Sequence, residues 1–187
     1  MEDLELENVL QLARRHDVDA LAELYRRYAR RVFGLCRYML GSTETAEDAT
    51  SEVFLKLQRS IGTYDGSVPF PRWLLRVASN HCVDVLRRKQ RERQVIVEAQ
   101  EDAAPLDVAG PELSPLSEVI SAQQQAAVRQ AIARLPENYR VPIVLRYYSD
   151  LGYDEIARQL RVKRNHVAIL LFRAKRELRQ AIALRRE

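Results

Sequence analysis

The sequence predicts an all-α fold: two small helical domains joined by an acidic flexible linker, the second ending in a helix-turn-helix. Three observations lead there. Apolar residues recur at three- and four-residue spacing along most of the chain, and no sustained alternating pattern competes with them. Residues 94–120 carry six acids, no Lys or Arg, and Pro105, Pro111 and Pro115, without a sustained apolar period; this is the composition of a tether. At 187 residues the chain holds one ordinary domain or two small ones, not a large enzyme. The divisions expected are therefore 1–93, 94–120 and 121–187.

The elements follow in order along the chain. A short helical segment is expected around Val9 to Arg15. Leu21, Leu24, Tyr28, Val32, Leu35 and Met39 mark the stripe of a long helix, and Gly41 stands where a left-handed stop belongs. Ser42-Thr43-Glu44-Thr45 reads as a helix start, with Glu47 and Asp48 near the positive end of the helix dipole and Ala46, Ala49, Val53 and Leu57 on its apolar face. Residues 62–69 form a loop, and Pro71 then opens a helix to about Lys89, since a first turn needs no N–H there. Beyond the linker, Val119 to Leu135 is helical until Leu135-Pro136 interrupts it. Pro136 starts the next helix, Glu137 to Tyr148, and Ser149 to Gly152 is a turn. Two final helices, Tyr153–Leu160 and about Arg164–Arg185, are separated only by Arg161-Val162-Lys163.

Charge is distributed unevenly. The net +4 divides into +2 for residues 1–93, −6 for the linker and +8 for residues 121–187. Basic modules suit a polyanion such as nucleic acid, although a solvated Arg-rich helix surface has the same composition. Two features favour nucleic acid. On the helix opened by Pro71, Trp73, Arg76, Asn80, Asp84, Arg87, Arg88 and Arg91 fall within about 60° of one line at 100° per residue. Leu75, Ala78, Cys82 and Leu86 lie together elsewhere as core candidates. That face offers guanidiniums for phosphates, an amide and a carboxylate for base edges, and an indole that stacks on an unpaired base. The alternative is a charged surface with Trp73 turned into the core.

The second feature is the final helix pair. An eight-residue helix, a three-residue turn and a longer second helix match the helix-turn-helix plan, whose second helix enters a major groove. A plain helical hairpin shares the spacing of the apolar stripes Tyr153, Ile156, Ala157, Leu160 and Val167, Leu171, Ala174, Leu178, Ile182. The outward face carries Asn165, Arg173, Arg176 and Arg179, but also Ala168, Ile169 and Phe172, which suit either thymine methyls or a protein partner. The turn lacks glycine, so Arg161 is expected to hold a left-handed backbone at a cost of about 1 kcal/mol.

No catalytic, cofactor or metal constellation emerges. His16, His81 and His166 are far apart, and His81 beside Cys82 on one helix is poor geometry for a shared metal. There is no Walker loop and no G-x-G-x-x-G, and Glu47-Asp48 and Glu101-Asp102 read as cap and linker charges. The longest apolar run, Val167 to Phe172, is six residues against the roughly 18 a bilayer span requires. Cys36 and Cys82 form no disulfide framework, and the acidic start Met1-Glu2-Asp3 gives no secretory signal. A soluble, cytoplasmic, non-enzymatic protein is expected.

These residues together resemble an extracytoplasmic-function (ECF) sigma factor of bacterial RNA polymerase. In the first module the resemblance rests on Leu21-Ala22-Glu23-Leu24-Tyr25-Arg26-Arg27-Tyr28, Ala46-Glu47-Asp48, Glu52-Val53-Phe54-Leu55-Lys56-Leu57, Pro69-Phe70-Pro71-Arg72-Trp73-Leu74 and Asn80-x-x-x-Asp84-x-Leu86-Arg87-Arg88. In the second it rests on Leu135-Pro136-x-x-Tyr139-Arg140, Val144-Leu145-Arg146-Tyr147, Tyr153-x-Glu155-Ile156-Ala157 and Arg173-Ala174-Lys175-x-x-Leu178. It runs from about residue 17 to 183.

The resemblance implies a sigma region 2 in residues 1–93 and a sigma region 4 in residues 121–187. It implies core RNA polymerase and promoter DNA as partners, with Asp48, Glu52 and Phe54 touching the polymerase clamp. Residues 63–68, with Tyr64, and the helix bearing Trp73, Arg76, Asn80, Asp84, Arg87, Arg88 and Arg91 would capture a flipped base and the melted strand of the −10 element. Arg164, Asn165, His166, Ile169, Phe172, Arg173 and Arg176 would read the −35 element. The linker would thread toward the polymerase channels, or serve only as a solubilising tether. Because the chain ends with its last helix, control is expected in trans, from an anti-sigma protein or another regulator. The chain departs from the family pattern at Ser51, often Gln, at Ala168, Ile169 and Leu170 in the recognition helix, and at Arg161, usually Gly. Polymerase binding and −10 recognition therefore carry over more fully than −35 specificity. The competing readings are a self-sufficient helix-turn-helix regulator and a helical adaptor.

Overall fold

The computed structural model describes residues 2–95 and 122–183. Four helices make the first domain: α1 (Glu2–Arg14), α2 (Val18–Leu40), α3 (Thr43–Ser60) and α4 (Phe70–Val95), with a short 3-10 turn at Ile61–Thr63. Four more make the second: α5 (Ala122–Arg134), α6 (Glu137–Tyr147), α7 (Tyr153–Leu160) and α8 (Arg164–Ala183). There is no strand among the described residues, and no helix is long and apolar enough to cross a membrane. The segment read as linker falls almost wholly outside the described residues; α4 itself reaches Val95, two residues past the expected end of the first module.

Local chemistry sets the helix ends. Asp17 Oδ1 accepts the Ala20 N–H at 2.8 Å to start α2, and Gly41, at φ 79°, ends it by donating its N–H to the Arg37 carbonyl. Ser42 Oγ accepts the Thr45 N–H to cap α3. Helices α2, α3 and α4 pack on one another through Leu24, Val32, Leu35, Met39, Val53, Leu57, Phe70 and Leu74, all but excluded from water. Cys36 on α2 and Cys82 on α4 are buried thiols in this core, with sulfurs 3.5 Å apart. Helix α1 is longer than its sequence suggested. It lays Leu10 and Ala13 against the same core while its first turns stay charged.

In the second domain α8 is central, packing on α5, α6 and α7 through Val167, Leu171 and Ala174. Helix α7 turns into α8 at Arg161, whose φ 56° and ψ 42° are left-handed and whose N–H reaches the Arg158 carbonyl. The strained position expected from the missing glycine is present.

The two domains touch. Helix α6 packs on α2, and α7 touches α4. Tyr148 is the hinge of the α2 contact: its ring sits 6.1 Å from that of Tyr38, and its hydroxyl donates to the Arg31 carbonyl at 3.0 Å. Burial pushes both phenols up, Tyr38 to about 12 and Tyr148 further, so both stay neutral.

Candidate nucleic-acid interface

Helix α4 carries the polar face predicted from sequence, and the fold splits that face into two stripes. One stripe lines an open cleft of about 420 Å³ between α3, the 3-10 turn and α4. Trp73, Asn80, His81 and Asp84 form one wall, and Lys56, Arg59 and Thr63 form the other. Trp73 is half-buried, its ring 5.9 Å from Phe70 and 5.4 Å from Tyr64, so the indole is braced from behind while an edge faces the cleft. Asn80 and Asp84 are exposed. The cleft offers an aromatic wall, amide and carboxylate hydrogen-bonding groups, and flanking cations, the groups that an unstacked base calls for.

Tyr64 is placed differently from its neighbours on the loop. It is only 8 % exposed, its hydroxyl donates to the Val68 carbonyl at 2.9 Å, and its own carbonyl accepts from Arg14 at 2.6 Å. The residue braces the loop behind Trp73. The loop tip is shaped by Gly66 at φ 78° and by Asp65, which accepts the Ser67 N–H at 2.9 Å. The Ser67 hydroxyl, with that backbone bond second, holds the exposed Asp65 carboxyl below its ordinary range.

His81 is the residue that sequence reasoning missed. Its Nδ1 lies 2.9 Å from Lys56 Nζ inside the cleft. Burial, with the Lys56 charge second, holds the imidazole below its usual range; with the ammonium donating to Nδ1, the ring proton sits on Nε2. Cys82, one position on, belongs to the core. Among the described residues no three His, Cys, Asp or Glu groups converge on a metal position.

The second stripe faces the other domain. Arg76 Nη2 meets Glu155 Oε1 at 2.6 Å, and Arg72 Nη2 meets Asp150 at both its carboxylate (3.1 Å) and its carbonyl (2.9 Å). Arg87 donates to the Gln159 carbonyl, and Gln159 Nε2 donates to Ser79 Oγ at 3.2 Å. Arg87 also reaches Asp84 at 3.4 Å on its own helix. Arg88 and Arg91 stay exposed beyond the contact, Arg91 returning a bond to the Arg87 carbonyl.

The outward face of α8 is as drawn from its spacing. Asn165, His166, Ile169, Phe172, Arg173 and Arg176 are all exposed, Ile169 at 48 % and Phe172 at 69 %. Arg164 sits 5.8 Å over the Tyr153 ring and pairs with Asp154 at 3.3 Å, which ties the start of α8 to α7. Arg176 is shared with Glu177 at 3.6 Å.

A third surface lies on α3. Asp48 and Glu52 are exposed, and Phe54 leans on Tyr25 of α2 at 4.7 Å between ring centroids. Leu55 and Tyr25, each about half exposed, extend this patch. For Leu55 the sequence signal is its position off the buried stripe of Val53 and Leu57; Tyr25 sits beside Leu24 on the apolar stripe of α2 and gives no such signal.

Comparison with known proteins places these surfaces in a lineage. The family model described as Sigma-70 region 2 matches residues 24–92, and that described as Sigma-70, region 4 matches residues 125–178. ECF RNA polymerase sigma factor SigW of Bacillus subtilis is 28% identical over 176 residues, covering 92% of this chain and 94% of its own. ECF RNA polymerase sigma factor SigE of Mycolicibacterium smegmatis is 32% identical over 161 residues, covering 86% of this chain and 61% of its own. In fold, the chain is similar to the sigma factor RpoE crystallised with the anti-sigma factor NepR from Bartonella quintana. That match has a TM-score of 0.60 and 16% identity, over 89% of this chain and 98% of the other. CnrH in complex with the cytosolic domain of CnrY gives 0.53 and 18%, over 94% and 96%.

Proposed function

The chain belongs to the sigma-70 family as an ECF sigma factor, and from that premise we propose how its three surfaces divide promoter recognition. As a sigma factor it binds core RNA polymerase and directs promoter-specific transcription initiation. The α3 surface of Asp48, Glu52 and Phe54, extended by Tyr25 and Leu55, docks on the polymerase: acids at its edge and apolar groups at its centre suit a helical, basic-rimmed partner. The cleft beside Trp73 takes an unstacked base of the −10 element, with Asn80 and Asp84 at its edge and Arg87, Arg88 and Arg91 along the strand. The exposed face of α8 reads the −35 element, Arg173 and Arg176 on phosphates and Asn165 and Ile169 on base edges. Residues 1–93 and 121–187 are the two working domains, with the acidic segment between them. The chain supplies no turnover of its own; nucleotidyl transfer belongs to the polymerase, with which it acts in the cytoplasm and, through it, on the nucleoid. An anti-sigma partner is the expected form of control, as the structurally similar RpoE was crystallised with the anti-sigma factor NepR.

The observation that carries the −10 assignment is the cleft itself: an indole braced by Tyr64 and Phe70 opposite two cations, with an amide and a carboxylate exposed at the rim. A stand-alone helix-turn-helix regulator has no use for that first domain, so this reading is not favoured. Purified chain is mixed with bacterial core polymerase and its open complexes are mapped by single-strand-specific oxidation. Trp73→Ala should leave co-elution intact and lower strand opening by about five-fold or more, on the basis that one stacked base contributes about 1–3 kcal/mol. Normal opening by Trp73→Ala refutes the cleft assignment.

A further inference from the structure

Two thiols in the core of the first domain take no part in any of the three surfaces. Cys36 on α2 and Cys82 on α4 are the chain's whole complement of cysteine, 46 positions apart in sequence, and helix packing brings their sulfurs to 3.5 Å. Both are completely buried. A buried cysteine by itself packs as a small apolar group. A facing pair differs, because an S–S bond of about 2.05 Å requires only about 1.5 Å of further approach. We propose that Cys36 and Cys82 are a reversible oxidation site, at which a peroxide closes an intramolecular disulfide that ties α2 to α4.

The surroundings give the two sulfurs different parts. The Cys82 thiol donates to the Cys36 sulfur, and that bond, opposed by burial and assisted by Thr50, holds the Cys36 thiol below its ordinary range. The same bond, with burial second, pushes the Cys82 thiol up. Cys36 is therefore the sulfur that reacts as a thiolate, while Cys82 retains its proton. Cys36 attacks one peroxide oxygen and the O–O bond breaks. The other oxygen leaves as hydroxide and takes up the proton that Cys36 lost, and a sulfenic acid stands on Cys36. Cys82 then attacks the Cys36 sulfur. The S–O bond breaks, the departing hydroxyl takes the Cys82 proton and leaves as water, and two electrons have passed from the sulfurs to the peroxide. Because the sulfenic acid forms in contact with its resolving thiol, closure precedes further oxidation.

Burial sets the rate. Neither sulfur touches water, so the peroxide enters through local opening of the helices, and the response follows sustained rather than brief exposure. In a reducing compartment such a bond is transient. While it lasts, the crosslink encloses α3, the 3-10 turn and the first half of α4, the segment that carries Asp48, Glu52 and Trp73. The inference does not depend on the roles given to those residues.

The test uses the full chain, reduced, freed of reductant and exposed to hydrogen peroxide. After denaturation and treatment with a maleimide, the product should carry no label, weigh two hydrogens less than the reduced chain, and yield a peptide linking positions 36 and 82. Dithiothreitol should restore both thiols. Trp73 is the chain's one tryptophan, so its fluorescence reports the first domain, and the urea midpoint read from it should rise in the oxidised chain. In glutathione buffers the closing equilibrium should favour the folded over the urea-unfolded chain by about 30-fold or more, the low end of what native disulfides contribute. The site is overturned if the folded chain keeps two free thiols in peroxide that fully oxidises free glutathione. It is equally overturned if oxygen is added without closure, if the disulfide joins two chains, or if closure shows no preference for the folded chain and lowers its urea midpoint.

Discussion

Arg88 offers the cleanest measure of how α4 engages a strand. It is exposed on the same face as Asn80 and Asp84, one residue beyond the guanidinium held by Gln159. Its removal should change folding stability by no more than about 0.5 kcal/mol, as for other surface positions. Once α7 is displaced, α4 presents Arg76, Arg87, Arg88 and Arg91, up to four phosphate contacts. At about 0.9 per contact they contribute roughly −3.6 to the slope of log affinity against log salt. Arg88→Ala should therefore flatten the slope of polymerase-bound chain on a promoter fragment by about 0.9. Between 50 and 200 mM salt the wild-type advantage should shrink about 3.5-fold. The assay is equilibrium binding of a labelled promoter fragment across that range, with wild type and variant side by side. An affinity loss that is the same at every salt concentration refutes a phosphate role for Arg88 and points to base or protein contact.

The second domain should be separable from the first: Leu171→Ala empties a position at 1 % exposure on α8 and should cost about 2–5 kcal/mol, against roughly 3–9 for a domain of about 60 residues. Urea denaturation should split into two transitions while co-elution with polymerase survives, and one unshifted transition would contradict the separation. His81 should give stability a pH dependence. Its folded pKa lies below the ordinary 6.5, so in the window just beneath 6.5 the unfolded chain binds the proton first. Stability then falls as pH drops from 6.5 through the folded value, and His81→Gln should flatten that limb of a urea-midpoint profile between pH 7.5 and 5. An unaltered limb assigns the acid sensitivity to another group.

Much of this molecule is legible in the sequence because its signals are local. Gly41 and Ser42 mark adjacent helix ends through their own side-chain and backbone chemistry, and the missing glycine at Arg161 foretells a left-handed residue. The eight-, three- and long-residue spacing at 153–183 yields the helix pair and its short turn, and the +8 charge of the module favours a helix-turn-helix over a plain hairpin. What escapes is whatever depends on a distant partner. A window of 60° on α4 gathers Trp73 and Arg76 into one face, but only the second domain, some 80 residues on, divides that face into a cleft and a contact. The contact of Arg72 is hidden for the same reason: its partner Asp150 is 78 positions away. His81 carries no periodic signal either, since Lys56 reaches it from another helix. Helix α1 is masked by composition, as Glu2, Asp3, Glu5 and Glu7 dilute the apolar stripe that buries Leu10 and Ala13.

Net charge conceals the most consequential arrangement. The second domain is +8 by sequence, which suggests that it would be repelled by a row of guanidiniums. Yet three of its six acids, Asp150, Asp154 and Glu155, stand together ahead of and within the first turn of α7. That is where a helix dipole favours negative charge, so helix stability alone accounts for their position. Once there, they serve both neighbours: Asp154 steadies Arg164 at the start of the recognition helix, while Asp150 and Glu155 meet Arg72 and Arg76. A basic domain thereby shows an anionic edge to α4. Because the capping and the domain contact use the same carboxylates, a substitution that deletes Glu155 outright would loosen α7 and the contact together. Only a change that keeps the acceptor for the Gly152 N–H while removing the charge separates the two roles, and for that reason Gln, not Ala, is the informative residue at this position.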